Sequence, residues 1–238
     1  MLPICRASSS CVSVSAWNSD MFDLTSFAQN TVCVQPDGSS YSYAQLSHDV
    51  LELAARMEPH TLLFCLCENC YEALVGYVAA VNNGNAVLLL DAHIDPAALD
   101  TLCHTYRPQY LWMPKAVEEG AEGSAAWQLD DYSLRATGST LATPLPGELA
   151  VLLTTSGSTG SPKLVRLSRQ NLLSNARSIV EYLHITADER PVTGLPMYYS
   201  FGLSIINSHL LAGATLLMTS DSYVQREFWT FANEQGFT

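Results

Sequence analysis

Leu149-Ala150-Val151-Leu152-Leu153-Thr154-Thr155-Ser156-Gly157-Ser158-Thr159-Gly160-Ser161-Pro162-Lys163-Leu164-Val165 is the stretch that decides how this chain is read. An apolar run leads in, a shorter one leads out, and between them lies a loop of glycine, small hydroxyl residues and one lysine. Glycine admits positive φ, so successive backbone N–H groups can turn inward and form a concave anion site. The hydroxyls add donors, and Lys163 adds a point charge at the mouth. Thr155, Ser156, Gly157, Ser158, Thr159, Gly160 and Lys163 are therefore the candidate phosphate-binding residues. The pattern is not the common nucleotide loop, G-x-x-x-x-G-K followed by Ser or Thr. Here a proline precedes the lysine and Leu164 follows it. By composition alone the same residues also describe a Ser/Gly-rich surface turn.

The 238 residues around this stretch suffice for one large domain or two small ones. Hydrophobic residues make up 48% and charged ones 14%, the balance of a globular chain rather than a disordered one. No apolar run is long enough to span a bilayer; the longest, Ala73 to Val81, is broken by Gly76 and Tyr77. The net charge of −12, from 23 acidic and 11 basic residues, argues against a nucleic-acid surface, which needs clustered Lys and Arg. The only lysines are Lys115 and Lys163, and one of them lies in the loop.

The seven cysteines form an odd set with no secretory leader, a pattern that points to free thiols and a cytoplasmic, reducing setting. Cys67-Glu68-Asn69-Cys70 is a C-x-x-C, but no second pair follows, and Cys65 and Cys67 fit one face of a strand. Structural cysteines are expected. The six histidines show no pair at ligand spacing, so no protein metal cage is expected. Ser156, Ser158 and Ser161 lack the G-x-S-x-G elbow of a serine hydrolase.

Taken in order, residues 1–20 read as a poorly ordered extension, with Met21 an alternative start. A strand-like run from Val32 to Ser40 turns at Pro36-Asp37-Gly38. Ser42-x-x-Gln45 is a capping box for a helix with Leu46, Val50, Leu53 and Met57 on one stripe. Thr61 to Leu66 reads as a buried strand. Asn69-x-x-Glu72 then caps a helix with Leu74, Val78 and Val81 inward, ending at Gly84. A strand at 86–90, a helix opened by Asp95-Pro96 and a strand at 109–113 follow. This alternation predicts an α/β fold, a mostly parallel sheet flanked by helices. Residues 114–147 read as a solvated connecting region with one short segment near Ala126 to Leu129. In the phosphate-loop half, 148–238, Ser168 caps an amphipathic helix bearing Leu172, Ala176, Ile179 and Leu183. Next come a strand at Val192 to Pro196 and a helix with Leu203, Ile206 and Leu210 inward, ending at Gly213. A strand at 214–218 precedes a last helix, capped by Ser222 and bearing Val224, Phe228 and Phe231.

The string TTSGSTGSPK closely resembles the signature of the adenylate-forming, AMP-binding ligases: acyl-CoA synthetases, adenylation domains of peptide synthetases, and luciferases. Ser42-Tyr43-Ala44-Gln45-Leu46 looks like that family's S-Y-x-E-L opening, and Glu68-Asn69 falls at its E-N. Asn83 to Asp91 is similar to its G-A-x-x-x-P-L-D stretch, with leucine where proline is usual. Leu195-Pro196-Met197-Tyr198-Tyr199-Ser200-Phe201-Gly202 resembles its L-P-x-aromatic-H-x-x-G segment, with Tyr199 at the histidine position. The resemblance covers residues 21–238 and implies the N-terminal subdomains of the ligase fold, the C-terminal parts being absent.

What the resemblance implies is activation of a carboxylic acid. The acid attacks the α-phosphate of ATP, giving an acyl-adenylate and pyrophosphate. The thiol of CoA, or of a carrier-protein phosphopantetheine, then takes the acyl group. The loop would hold the departing phosphates, Mg²⁺ would bridge phosphate oxygens, and Tyr199 and Gly202 would border the acyl side. A tyrosine there offers a flat wall and one hydroxyl rather than a group that titrates near neutrality; without the loop, Tyr198, Tyr199 and Phe201 read simply as packing against the sheet. No residue is assigned as catalytic. The family's Y-G-x-T-E and T-G-D segments and its late lysine do not occur in this sequence. It reads as the first portion of a ligase that needs the missing C-terminal part in cis or trans, and is inactive alone. The alternative is a non-catalytic nucleotide- or protein-binding module that retains the fold. An unrelated NTP hydrolase is disfavoured by Leu164, which stands where Ser or Thr would follow the lysine.

Overall fold

Strands and helices alternate as expected and assemble into two sheets in a computed structural model that describes residues 21–117, 124–141, 143–154 and 163–238. Residues 1–20 and the loop residues Thr155 to Gly160 lie outside these described residues. Strand β1 (Thr31–Val34) turns through Gly38, at φ 88°, into β2 (Ser40–Ser42). Helix α1 (Tyr43–Ala54) opens where the capping box predicts, with the Ser42 side chain accepting from the Gln45 amide. Met57 lies past its end but is still buried.

The larger sheet contains β3 (Leu62–Cys67), β4 (Ala86–Asp91), β5 (Tyr110–Pro114), β6 (Ser124–Leu129), β7 (Tyr132–Ala136), β8 (Leu149–Thr154) and β9 (Leu164–Ser168). Its order is β6-β7-β5-β3-β4-β8-β9. The central four, β5-β3-β4-β8, are parallel, and antiparallel strands close both edges. The smaller sheet orders β10 (Val192–Thr193), β11 (Leu216–Met218), β1 and β2. The remaining helices are α2 (Tyr71–Asn82), α3 (Pro96–Tyr106), α4 (Arg169–Leu183), α5 (Ser200–Ala212) and α6 (Arg226–Glu234).

Strand alternation sorts the core into layers. Leu63, Cys65 and Cys67 of β3 face the region between the sheets with α1, α2 and Leu203 and Ile206 of α5. Leu62, Phe64 and Leu66 face the other way, toward Leu102 of α3. In the smaller sheet Cys33, Leu216 and Met218 point to the shared middle, while Val34 and Leu217 meet Phe231 of α6. Cys65 and Cys67 thus share one strand face, as their spacing predicts.

Three local expectations change. A single inward stripe was the expectation for α2, yet every residue from Tyr71 to Val81 is buried. The helix touches β3, β4, β5 and β8 on one side and α1 on another, and Tyr77 reaches Asn207 of α5. A helix enclosed by two layers is apolar all round. Residues 114–147 hold a two-stranded hairpin, β6–β7, rather than one short segment. Tyr132 and Leu134 are buried, Trp127 stacks on Trp112, and the Tyr132 hydroxyl donates to the Leu66 carbonyl at 3.0 Å. These few apolar residues close an edge that their solvent-facing neighbours mask in the sequence. Finally, Val224 precedes α6 and is exposed, and Leu183 at the end of α4 is exposed as well.

Candidate functional site

Parallel strands bring their carboxyl ends to one edge, and the crevice outside that edge is where α/β sheets bind ligands. Cys67 is level with Asp91, and Leu89 pairs with Leu153, so β3, β4 and β8 finish side by side. Thr154 pairs with Leu164, which places Lys163 at the same edge, at the far end of the loop that leaves β8. Thr155, Ser156, Gly157, Ser158, Thr159 and Gly160 lie outside the described residues, but both of their attachment points are here.

The segment that follows β10 is held over this edge by polar side chains. Asn69 was expected to cap α2, but Cys70 is the N-cap and makes no side-chain capping bond. The Asn69 carboxamide reaches instead to the smaller sheet. Its Nδ2 donates to the carbonyls of Thr193 at 2.7 Å, Thr219 at 3.2 Å and Leu195 at 3.3 Å, and its Oδ1 accepts from the Met197 amide at 3.2 Å. Carbonyls at the ends of β10 and β11 have no further strand partner, so this one side chain satisfies them. Asp91, at the end of β4, accepts from the Tyr198 hydroxyl at 2.8 Å and from the His93 amide at 2.9 Å. Burial works against the Asp91 charge, but bonds from the His93 amide, the Tyr198 hydroxyl and the His93 ring outweigh it and hold the carboxyl below the usual range. Burial, and then the bond to Asp91, push the Tyr198 phenol up, so it serves as a neutral donor. Burial also pushes the Cys67 and Cys70 thiols well up, away from thiolate chemistry.

Tyr199 stands at the N-cap of α5 with extended backbone, 57% exposed, its ring 4.9 Å from that of Tyr198. Tyr199 and Phe201 are both exposed rather than packed on the sheet. Among the described residues no side chain caps α5, which leaves its first-turn amides and the positive end of its dipole to face this edge. Gly202 is buried, and a Cβ there would fall 2.3 Å from the Pro196 carbonyl oxygen and 2.7 Å from that of Leu195. Its role in the fold is close backbone approach. Gly202→Ala is expected to cost about 2 kcal/mol or more, because rigid backbone must move; a lowered urea midpoint with the β-sheet signal retained is the check. Behind Ser200 and Phe201, α4, α5 and β8–β9 border an open-sided cavity of about 610 Å³ lined by Leu153, Leu172, Leu203, Asn171, Ser204 and Asn207.

The pattern that describes AMP-binding enzymes matches residues 24–238. The chain belongs to the AMP-binding enzyme family. Among relatives of this AMP-binding chain, the D-alanine–D-alanyl carrier protein ligase of Streptococcus equi subsp. equi (strain 4047) is 27% identical over 179 residues, 71% of this chain and 35% of the relative. The malformin synthetase mlfA of Aspergillus vadensis is 26% identical over 208 residues, 82% of this chain and 4% of the relative. The chain therefore spans about a third of the first relative and a small part of the second. In fold it is similar to the ATP-bound MatB of Rhodopseudomonas palustris, with a TM-score of 0.63 and 21% identity over 85% of this chain and 45% of that one.

For this AMP-binding domain, the structure brings Lys163, Tyr199 and the attachment points of the loop to one edge. It gives Gly202 a packing place against the Leu195–Pro196 backbone. The sequence reading missed Asn69, Asp91 and Tyr198 as the groups that hold the edge together. The available signal was positional: Asn69 and Asp91 both stand at the carboxyl end of a buried strand, where a polar side chain is spent on the crevice.

Proposed function

We propose that the chain is the N-terminal part of an AMP-forming acid–thiol ligase, which activates a carboxylic acid with ATP and passes the acyl group to CoA or a carrier-protein phosphopantetheine. The observation that carries this reading is the convergence of the β8–β9 loop attachments, Lys163 and the uncapped start of α5 on one carboxyl edge. The carboxylate is already a nucleophile, so the chain's task is positioning and neutralising charge. Thr155 to Gly160 and Lys163 bind the triphosphate, and the first turn of α5 receives the carboxylate beside Tyr199. In support, the Streptococcus relative is a carrier-protein ligase and the MatB neighbour holds ATP.

The nearby Asp91 carboxylate is already engaged by Tyr198 and His93, so magnesium would come with the nucleotide and would supply neutralisation of phosphate charge. Among the described residues no helix is long and apolar enough to cross a membrane. Cys33, Cys65, Cys67 and Cys70 form no disulfide, and thiols kept reduced suit a cytoplasmic setting.

The test is ATP–pyrophosphate exchange across a panel of carboxylic acids. The 238-residue chain alone is expected to give background exchange, and exchange is expected to appear when the Y-G-x-T-E, T-G-D and late-lysine segments are supplied in cis. Exchange by the chain alone would contradict its dependence on those segments. No exchange with all of them present would contradict acid activation.

A further inference from the structure

Several polar side chains line the cavity behind the start of α5, and Asn207 is the buried one among them. Asn207 is 2% exposed and lines this cavity. Its Oδ1 accepts from the buried Tyr77 hydroxyl at 2.7 Å. Among the described residues the Tyr77 hydroxyl donates to no other group, so turning the amide over would cost the phenol this bond. The orientation is therefore fixed, and Nδ2 is left as the free donor. Among the described residues Nδ2 makes no hydrogen bond, and the cavity that Asn207 lines is where a partner for it can sit. A nearly buried donor held in place by a second buried group is a recognition element rather than a surface amide.

We infer that Asn207 selects the acyl part of the substrate, and that this part is uncharged and carries a hydrogen-bond acceptor. The inference rests on reading this edge as an acid-binding site. No Asp, Glu, Lys or Arg lines the cavity, so a charged group on the acyl chain finds no counter-ion there among the described residues. Leu153, Leu167, Leu172, Ile179 and Leu203 supply the apolar wall. Asn207 stands seven positions beyond Ser200 on α5, a rise of about 10 Å. With the carboxylate at the first turn, that distance matches a chain of about seven carbons plus one hydrogen bond of about 3 Å. A medium-length keto acid, with its ketone near the far end, has this shape.

The experiment compares 7-oxooctanoate with octanoate by ligand-observed NMR titration of the 238-residue chain, with Mg·ATP binding measured separately. Wild type is expected to bind the keto acid about fivefold tighter or more, the worth of one buried hydrogen bond to a neutral acceptor. Asn207→Leu is expected to bring that ratio to about one. Because Asn207→Leu strands the Tyr77 hydroxyl, the double variant Tyr77→Phe/Asn207→Leu removes both partners at once and should show the same lost preference with a near-native urea midpoint. Equal affinities in wild type, a preference that survives in both variants, or no acid binding while Mg·ATP binds would each overturn the inference. A keto-acid preference without Mg·ATP binding would uphold the cavity assignment and remove the ligase reading.

Discussion

Alanine in place of Gly76 is expected to cost the fold about 2 kcal/mol or more, the net of a clash that cannot relax and a small gain in helix propensity. The added Cβ would lie 2.1 Å from Cδ1 and 2.6 Å from Nε1 of Trp112. That ring is fully buried and cannot retreat. Its Nε1 donates to the Glu72 carbonyl at 2.8 Å, and Trp127 and Tyr132 stand 5.8 and 5.5 Å away, centroid to centroid. Moving it breaks the bond to α2 and pushes the β6–β7 hairpin off the sheet edge. Alanine favours a helix interior over glycine by about 1 kcal/mol, which opposes but does not cancel overpacking. Urea denaturation followed by far-UV circular dichroism reads the difference as a shifted midpoint at constant slope. A Gly76→Ala chain as stable as wild type, or more so, would mean that α2 does not press on β5 as described.

Lys163→Ala is expected to weaken Mg·ATP binding about tenfold or more, the scale of one hydrogen bond to a charged group. Lys163 is exposed just before β9, so its loss should leave the unfolding free energy within about 0.5 kcal/mol of wild type. Lys163→Arg keeps the charge but not the compact ammonium, and an intermediate affinity is expected. The other lysine is a natural control. Lys115 donates to the Asp130 carbonyl at the hairpin, across β3 and β4 from β8. Lys115→Ala should bind Mg·ATP like wild type. Equal loss in both lysine variants would assign the effect to general charge rather than to the loop.

What the sequence made legible was local in origin. The alternation of strand and helix, the Ser42 and Ser168 caps, the turn at Gly38 and the one-face placement of Cys65 and Cys67 all depend on residues a few positions apart. The loop from Thr155 to Lys163 was legible as a string because its chemistry is continuous in the chain. The groups that assemble the site were not. Asn69 finds its carbonyl partners at Thr193, Leu195 and Thr219, and Asp91 meets Tyr198, across separations of 107 to 150 residues. At Asn69 a local rule gave a competing answer, since Asn followed three residues later by Glu resembles a cap. Tertiary satisfaction of the β10 and β11 carbonyls won. Asn207 was hidden in the same way: on a helix it reads as one polar residue among many, and only Tyr77 of α2 fixes which of its atoms remains free.

The most direct test of the central claim is a calorimetric titration of the 238-residue chain with ATP, with and without Mg²⁺. The account predicts saturable binding at one site per chain, strengthened by Mg²⁺ and competed by pyrophosphate. No saturable binding up to millimolar ATP, or binding that pyrophosphate does not displace, would contradict a phosphate-holding loop at the carboxyl edge of the sheet.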